Sequence, residues 1–300
     1  MTVQYENKEQ CDICSGRKLE NLFKIRNLEG LHGQFNLLKC KDCGSYYTSP
    51  YPAPQTISEL YSERENNQNF DLKSNYFIDL LKDISAKKTL KNFIKKTNLR
   101  PRSILDFGTV NGRYAAMSSI LFPQAEITAC DFMADKPSRL EEPPFRHIKY
   151  ITTPQLLNSG EKYDLILLRH VIEHIFKPLD FLIGLSGKLT EKGFIYIEVP
   201  NINALYSIPL LRNHYSGYNP PYHLTHYDKS ALSLLLSKTN MDFKIWQQSM
   251  PLSSNAAASI CKRKLNPFFQ FIGILLHPIQ KAGAAIKGEK EVLCAAVKNK

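Results

Sequence analysis

The stretch SILDFGTVNGRYAAMSSILF, residues 103–122, passes from a short apolar run through a glycine-bearing loop into a helix-like segment, and EITACD follows at 126–131. Short apolar runs of this kind read as buried strands of a parallel sheet. Glycine lets a chain turn sharply and bring its backbone close to a ligand at a helix N-terminus. Asp106 lies in the first run, Gly108 and Gly112 lie in the loop, and Asp131 closes the second run. A carboxylate at that point is placed to accept both hydroxyls of a ribose. The segment before Asp131 is apolar and no Lys or Arg lies within four positions of it. Ribose recognition is therefore the only purpose the sequence offers Asp131, and Asp131→Ala is expected to spare the fold.

Outward from this stretch the same texture continues. HIKYI (147–151), YDLILL (163–168), GFIYIEV (193–199), FKIWQ (243–247) and EVLCAAV (291–297) are apolar runs separated by helix-length segments. The pattern predicts a doubly wound α/β domain whose ligands bind beyond the carboxyl ends of the strands. Upstream, residues 76–96 place Phe77, Leu80, Leu81, Ile84, Leu90, Phe93 and Ile94 near 3.6-residue spacing, which predicts an amphipathic helix packed on that domain. Prolines 50, 52 and 54 form a stiff connector after a polar N-terminal segment. The expected organisation is a zinc-binding module over 1–55, a helical connector over 56–100 and the main domain over 101–300.

Within the N-terminal segment, Cys11 and Cys14 form one C-x2-C pair and Cys40 and Cys43 a second, with Gly44 following at a tight turn. Two such knuckles supply four thiolates around one tetrahedral ion, so structural zinc is the expected occupant, with an iron-sulfur cluster or a redox pair as the alternatives. A closed four-thiolate shell leaves no coordination position for chemistry. The seven cysteines are odd in number, which argues against a secreted disulfide framework.

ILDFGTVNGRY followed by ITACD resembles motifs I and II of class I S-adenosylmethionine (SAM)-dependent methyltransferases. YDLILLRHVIEHIFKPLDFL is similar to that family's fourth strand and following helix, and GFIYIEVPN to its fifth strand. HLTHYDKSALSLLLSKTNMDF is similar to its helix before strand six. The N-terminal CDIC…KCKDCGSYYTSPYPAPQTISELY resembles the zinc module preceding some bacterial sugar and surface-polysaccharide methyltransferases. The resemblance implies a Rossmann-like seven-stranded, mostly parallel sheet in the order 3-2-1-4-5-7-6, with strand seven antiparallel, plus a zinc-ribbon-like module. It implies SAM as cofactor, with Asp106 and Gly108 at the methionine end, Gly112 turning into the helix, and Asp131 on the ribose. Arg169 and His170, at the end of strand four, would line the methyl-bearing side. One departure stands out, because Val110 replaces the middle glycine of the family pattern; its Cβ is expected to crowd the cofactor, and a binding or scaffold protein that has lost SAM is the alternative reading.

His170, Glu173 and His174 also match the H-x-x-E-H peptidase pattern, but the strand YDLILLR runs straight into His170, so the histidine sits at a strand end and a helical zinc motif is disfavoured. His174 and Glu173 are expected to brace the cofactor cleft. The thirty-residue connection after strand five carries five tyrosines with His214, His223 and His226, and predicts a substrate-side wall or lid. His223 and His226, with His174, are the candidate catalytic residues, since histidine accepts a proton near neutral pH.

The chain carries 39 Lys and Arg against 28 Asp and Glu. Its start lacks the basic and apolar regions of a secretory signal, which predicts a cytoplasmic protein. The expected partner is a small-molecule or glycan-linked acceptor. Residues 266–287 are apolar and aromatic beside basic positions, and suit either a peripheral membrane contact or a buried helix. The positive charge makes a nucleic-acid methyltransferase the other alternative, although nucleic acid is the less favoured partner. The sequence sets no oligomeric state.

Overall fold

The computed structural model describes residues 3–25, 33–61, 76–205, 216–249 and 288–300. The segment 266–287, His214 and Cys261 lie outside the described residues. Thirteen strands are described: β1 Tyr5–Glu6, β2 Leu19–Ile25, β3 Phe35–Cys40, β4 Tyr46–Ser49, β5 Tyr51–Pro52, β6 Ser103–Phe107, β7 Glu126–Asp131, β8 Lys149–Thr152, β9 Tyr163–Arg169, β10 Leu189–Pro200, β11 Thr225–His226, β12 Asp242–Gln248 and β13 Val292–Lys298.

The main sheet has the order β12-β13-β10-β9-β6-β7-β8. β13 runs antiparallel to both neighbours, and the remaining pairs are parallel. Every apolar run singled out in the sequence forms one of these strands, and the order and polarity are those that the family resemblance implies. The central strand β9 explains the legibility of the pattern: Leu165, Ile166, Leu167 and Leu168 are all fully buried. A strand covered on both faces must be apolar at every position and not merely at alternate ones.

Helix α1, Tyr76–Thr97, packs on α2, Arg113–Leu121. The buried stripe of α1 is Ala86, Thr89, Leu90 and Phe93, whereas Leu80 and Ile84 are exposed. The apolar spacing had placed Leu80 and Ile84 on the core face. The reason for the difference is electrostatic: the first turns of α1 are held by Arg113, whose guanidinium reaches Asp79 Oδ1 at 2.8 Å and Asp83 Oδ1 at 2.5 Å. Arg139 joins Asp83 from the other side at 3.1 Å. Polar ties thus set the orientation of the helix start, and apolar packing sets its second half.

The N-terminal segment forms a four-stranded sheet in the order β11-β4-β3-β2. Its first strand belongs to the connection after β10: Thr225 pairs with Tyr47 and His226 with Tyr46. Cys11, Ile13, Cys40 and Tyr47 are buried in the same apolar cluster as Leu168, Val171, Ile172, Tyr227 and Leu232. The expected module over 1–55 therefore shares its core with the main domain. Among the described residues, no helix is long and apolar enough to cross a membrane.

Candidate functional site

The four sulfurs of Cys11, Cys14, Cys40 and Cys43 lie within 4.8 Å of one another. Cys11 Sγ is 3.4 Å from Cys43 Sγ, and Cys14 Sγ is 3.6 Å from Cys40 Sγ. Four sulfurs at about 2.3 Å from a tetrahedral ion would stand about 3.8 Å apart, so the donor set fits zinc. Backbone N–H groups of Cys14 and Gly16 donate to Cys11 Sγ and Cys14 Sγ, at 3.3 and 3.4 Å, which stabilises thiolate charge in the first knuckle. Gly44 takes φ +79°, the left-handed conformation the second knuckle needs.

The loop between β6 and α2 is held from two sides. Asp106 is buried, and its Oδ2 accepts from Thr109 Oγ1 at 2.6 Å and from the Ala115 N–H at 3.0 Å. Burial pushes its pKa up to about 6, against those two hydrogen bonds. Asp131 is also buried: Oδ2 accepts from the Val110 N–H at 2.9 Å and Oδ1 from the Phe132 N–H at 2.8 Å. This corrects the expectation that Asp131 lacks a structural purpose, because its carboxylate ties the loop to the end of β7. Each oxygen retains a further lone pair, so the same carboxylate remains able to accept ribose hydroxyls. Gly108 has φ +72°, and a Cβ on it would meet Val171 Cγ2 at 2.7 Å. Gly112 caps α2 at φ +72°.

Val110 has φ +50° and is 70% exposed. The glycine common in the family pattern matches this conformation, and a β-branched residue there is strained. Its side chain extends into open space above the loop. Val110→Asn, which tolerates the left-handed region better, is expected to raise stability by about 0.5–1 kcal/mol. A thermal melt that shows no increase would refute the strain.

At the end of β9, Arg169 donates to Glu198 Oε1 from Nε at 3.1 Å and Nη2 at 2.5 Å, and its guanidinium lies 3.7 Å from the centroid of the Tyr114 ring. Tyr196 Oη donates to Glu198 Oε2 at 2.6 Å. Burial opposes the charged form of Glu198, yet Arg169 and His170 hold it well below the carboxylate range. His170 follows at φ +53°, with Nδ1 3.2 Å from Glu173 Oε1 and Nε2 3.5 Å from Glu198 Oε1. Burial again opposes the charge, but the two carboxylates push His170 up to about 9. His170 thus faces the strand network while Ile172–His174 form a short 3-10 turn, so H-x-x-E-H is no helical zinc motif here.

Beyond the ends of β9 and β10 the wall predicted from the long connection is built largely of buried rings, with Tyr218, Tyr222, His223, His226 and Tyr227 all buried. His223 Nδ1–H donates to the Gly217 carbonyl at 2.7 Å, leaving Nε2 as the unprotonated nitrogen. The rings of His174 and His223 meet edge to face at 4.6 Å. His226 Nε2 is 2.9 Å from Thr48 Oγ1. Burial pushes His226 down to about 3 and His223 well below the imidazole range, the latter also through His174 and His226. Both are neutral near pH 7. His226 is a link between wall and module, and His223 and His226 both line the small cavity bordered by Glu173, Ile202, Thr225 and Tyr227.

The sequence profile of the methyltransferase domain family matches residues 78–248. The chain belongs to the methyltransferase domain family. No curated protein gives a significant sequence match. Among solved structures, a plantazolicin methyltransferase, BpumL, in complex with a monoazolic desmethylplantazolicin analogue and S-adenosylhomocysteine is similar at 21% identity and a TM-score of 0.52, covering 82% of this chain and 93% of that one. The same enzyme with a triazolic analogue gives 20% identity and a TM-score of 0.51, over 82% and 94% of the two chains. At these identities the likeness establishes the fold.

Three residues escaped the sequence reading. Glu198 was hidden inside the apolar run GFIYIEV, where a lone acid in a buried strand was the available signal. Tyr61, from the connector, packs against Phe132 at 4.9 Å and Tyr222 at 5.6 Å, and so joins the end of β7 to the histidine wall. Arg113 appeared as an ordinary helix residue. No acid follows β8, and the Gln155 Oε1 there accepts from the Thr152 N–H at 2.7 Å to cap the next helix.

Proposed function

We propose that this protein transfers a methyl group from SAM to a small-molecule or glycan-linked acceptor, with a sugar or cell-surface polysaccharide precursor as the favoured class. The observation that carries the reading is the buried histidine wall standing beyond the strand ends, joined through Tyr61 to Phe132 beside Asp131 at the end of β7. SAM supplies a methyl group on a sulfonium sulfur. The chain's residues must orient the acceptor and, for a hydroxyl, take one proton. His223, neutral with Nε2 unprotonated, is the residue for that proton, with His174 beside it; His226 positions the wall through Thr48. Asp131 accepts the ribose hydroxyls, Asp106, Gly108 and Gly112 shape the methionine side, and Arg169 and His170 border the methyl-bearing side. Tyrosine and histidine together suit a hydroxyl-rich acceptor.

Calorimetric titration with SAM and S-adenosylhomocysteine tests the reading, and folded protein that takes up neither ligand would overturn it in favour of a scaffold that has lost SAM. Asp131→Ala is expected to weaken SAM binding roughly ten- to a hundredfold. It should also lower stability by about 1.5–3 kcal/mol, because the Val110 and Phe132 N–H groups lose a charged acceptor. Unchanged SAM affinity in this variant would remove Asp131 from the cofactor site. Labelled SAM with a panel of nucleotide sugars then identifies the acceptor.

A further inference from the structure

Glu173 is 1% exposed, and only its Oε1 is paired, with His170. Its Oε2 is buried and has no hydrogen-bond partner among the described residues. Buried carboxylate oxygens are almost always satisfied, so this one calls for an explanation. The Glu173, His174 and His223 ligand atoms lie within 4.8 Å of one another. His174 Nδ1 is 2.9 Å from the Tyr222 carbonyl oxygen and His223 Nδ1 is 2.7 Å from that of Gly217. A carbonyl oxygen only accepts, so both imidazoles donate Nδ1–H to backbone and carry their lone pair on Nε2. Metal-binding histidines are oriented in this way by their outer-shell partners.

We infer that Glu173, His174 and His223 form a second metal site, separate from the four cysteines, that takes one divalent transition-metal cation of the zinc class. Two imidazoles and one carboxylate are the donor set of zinc sites that keep a fourth position open, and also suit other late divalent metals. Two of the three, Glu173 and His223, line the small cavity that Thr225 and His226 also border. A cation there would give Glu173 Oε2 the partner it lacks, since His170 pairs with the other oxygen. The open position would face the acceptor. With the ion bound, His174 and His223 would serve as its ligands and the cation would make an acceptor hydroxyl more acidic, its proton passing to solvent; the proton transfer to His223 described above belongs to the metal-free site. That use of the ion rests on the methyl-transfer reading; the site itself does not.

The test is equilibrium dialysis of the full-length, zinc-loaded protein against zinc chloride alone, with metal per chain measured by elemental mass spectrometry. Wild type is expected to hold about two ions, one in the four-cysteine site and one here, and Glu173→Gln about one. The second ion's affinity should fall in Glu173→Gln by more than the roughly 10–100-fold that loss of an outer-shell partner costs. If that variant fails to fold, cobalt loading of the wild type decides: the second cobalt should add a spectrum without thiolate charge-transfer bands. A wild type that stops at about one ion, a second cobalt of thiolate type, or a Glu173→Gln protein that keeps both ions would each overturn the site. SAM titration of the same samples separates the two readings. SAM binding without a second ion defeats only the metal site, and a second ion without SAM binding defeats only the methyl-transfer reading.

Discussion

Glu198→Ala is expected to lower the stability of the protein by about 3 kcal/mol, a fall of about 5–10 °C in a thermal melt. Glu198 is 2% exposed and receives hydrogen bonds from Arg169 and Tyr196, with His170 Nε2 at 3.5 Å. Its removal leaves the Arg169 guanidinium without its anion and the Tyr196 hydroxyl with only the weak acceptor Cys294 Sγ at 3.3 Å, inside the sheet. Breaking a buried pair by deleting one partner costs about 3–5 kcal/mol. The lower end applies because the Arg169 side chain is 21% exposed and keeps its contact with the Tyr114 ring. The double variant Arg169→Met/Glu198→Met should lose less than Glu198→Ala alone, since an apolar pair of similar volume strands no charge. A Glu198→Ala protein that melts within a degree or so of wild type would show that the network contributes little.

Cys40→Ser is expected to abolish zinc retention and to release the module from the rest of the chain. Structural zinc sites of this type contribute on the order of 10–16 kcal/mol of binding free energy that is also folding free energy. Cys40 is fully buried in the shared core, and β4 carries the pairing with Thr225 and His226. Loss of the ion should therefore expose residues 3–25 and 33–61 to limited proteolysis and loosen the histidine wall. The seven-stranded sheet does not use the module's strands and should keep its SAM affinity within a few-fold. Chelation of wild-type protein should have the same result. A zinc-free Cys40→Ser protein with wild-type protease resistance would refute a structural role for the metal.

The parts legible in the sequence are those set by local rules. β6, β7 and β9 were visible because a strand covered on both faces must be apolar throughout. Cys11, Cys14, Cys40 and Cys43 were visible because two-residue spacing is itself the knuckle geometry. Gly108 and Gly112 were visible because a sharp turn restricts residue type, whereas Val110 stood out only against the family pattern, and its left-handed backbone came from the structure. Asp106 and Asp131 were found by position, but their bonds to Thr109, Ala115, Val110 and Phe132 were not, since a short apolar flank says nothing about which backbone N–H groups a loop turns toward a carboxylate.

By itself, the sequence determined the strand order's raw material, the four-thiolate set and the glycine-bearing loop between β6 and α2, because strand burial, knuckle spacing and backbone handedness each act within a few residues. Only the tertiary structure decided that β11 closes the module's sheet, that Arg169 meets Glu198, and that Glu173 and His174 meet His223 across some fifty residues of chain. Those meetings depend on how a long connection folds back over the strand ends, and the packing that directs it is shared among Tyr47, Ile172 and Tyr227, which no local pattern links.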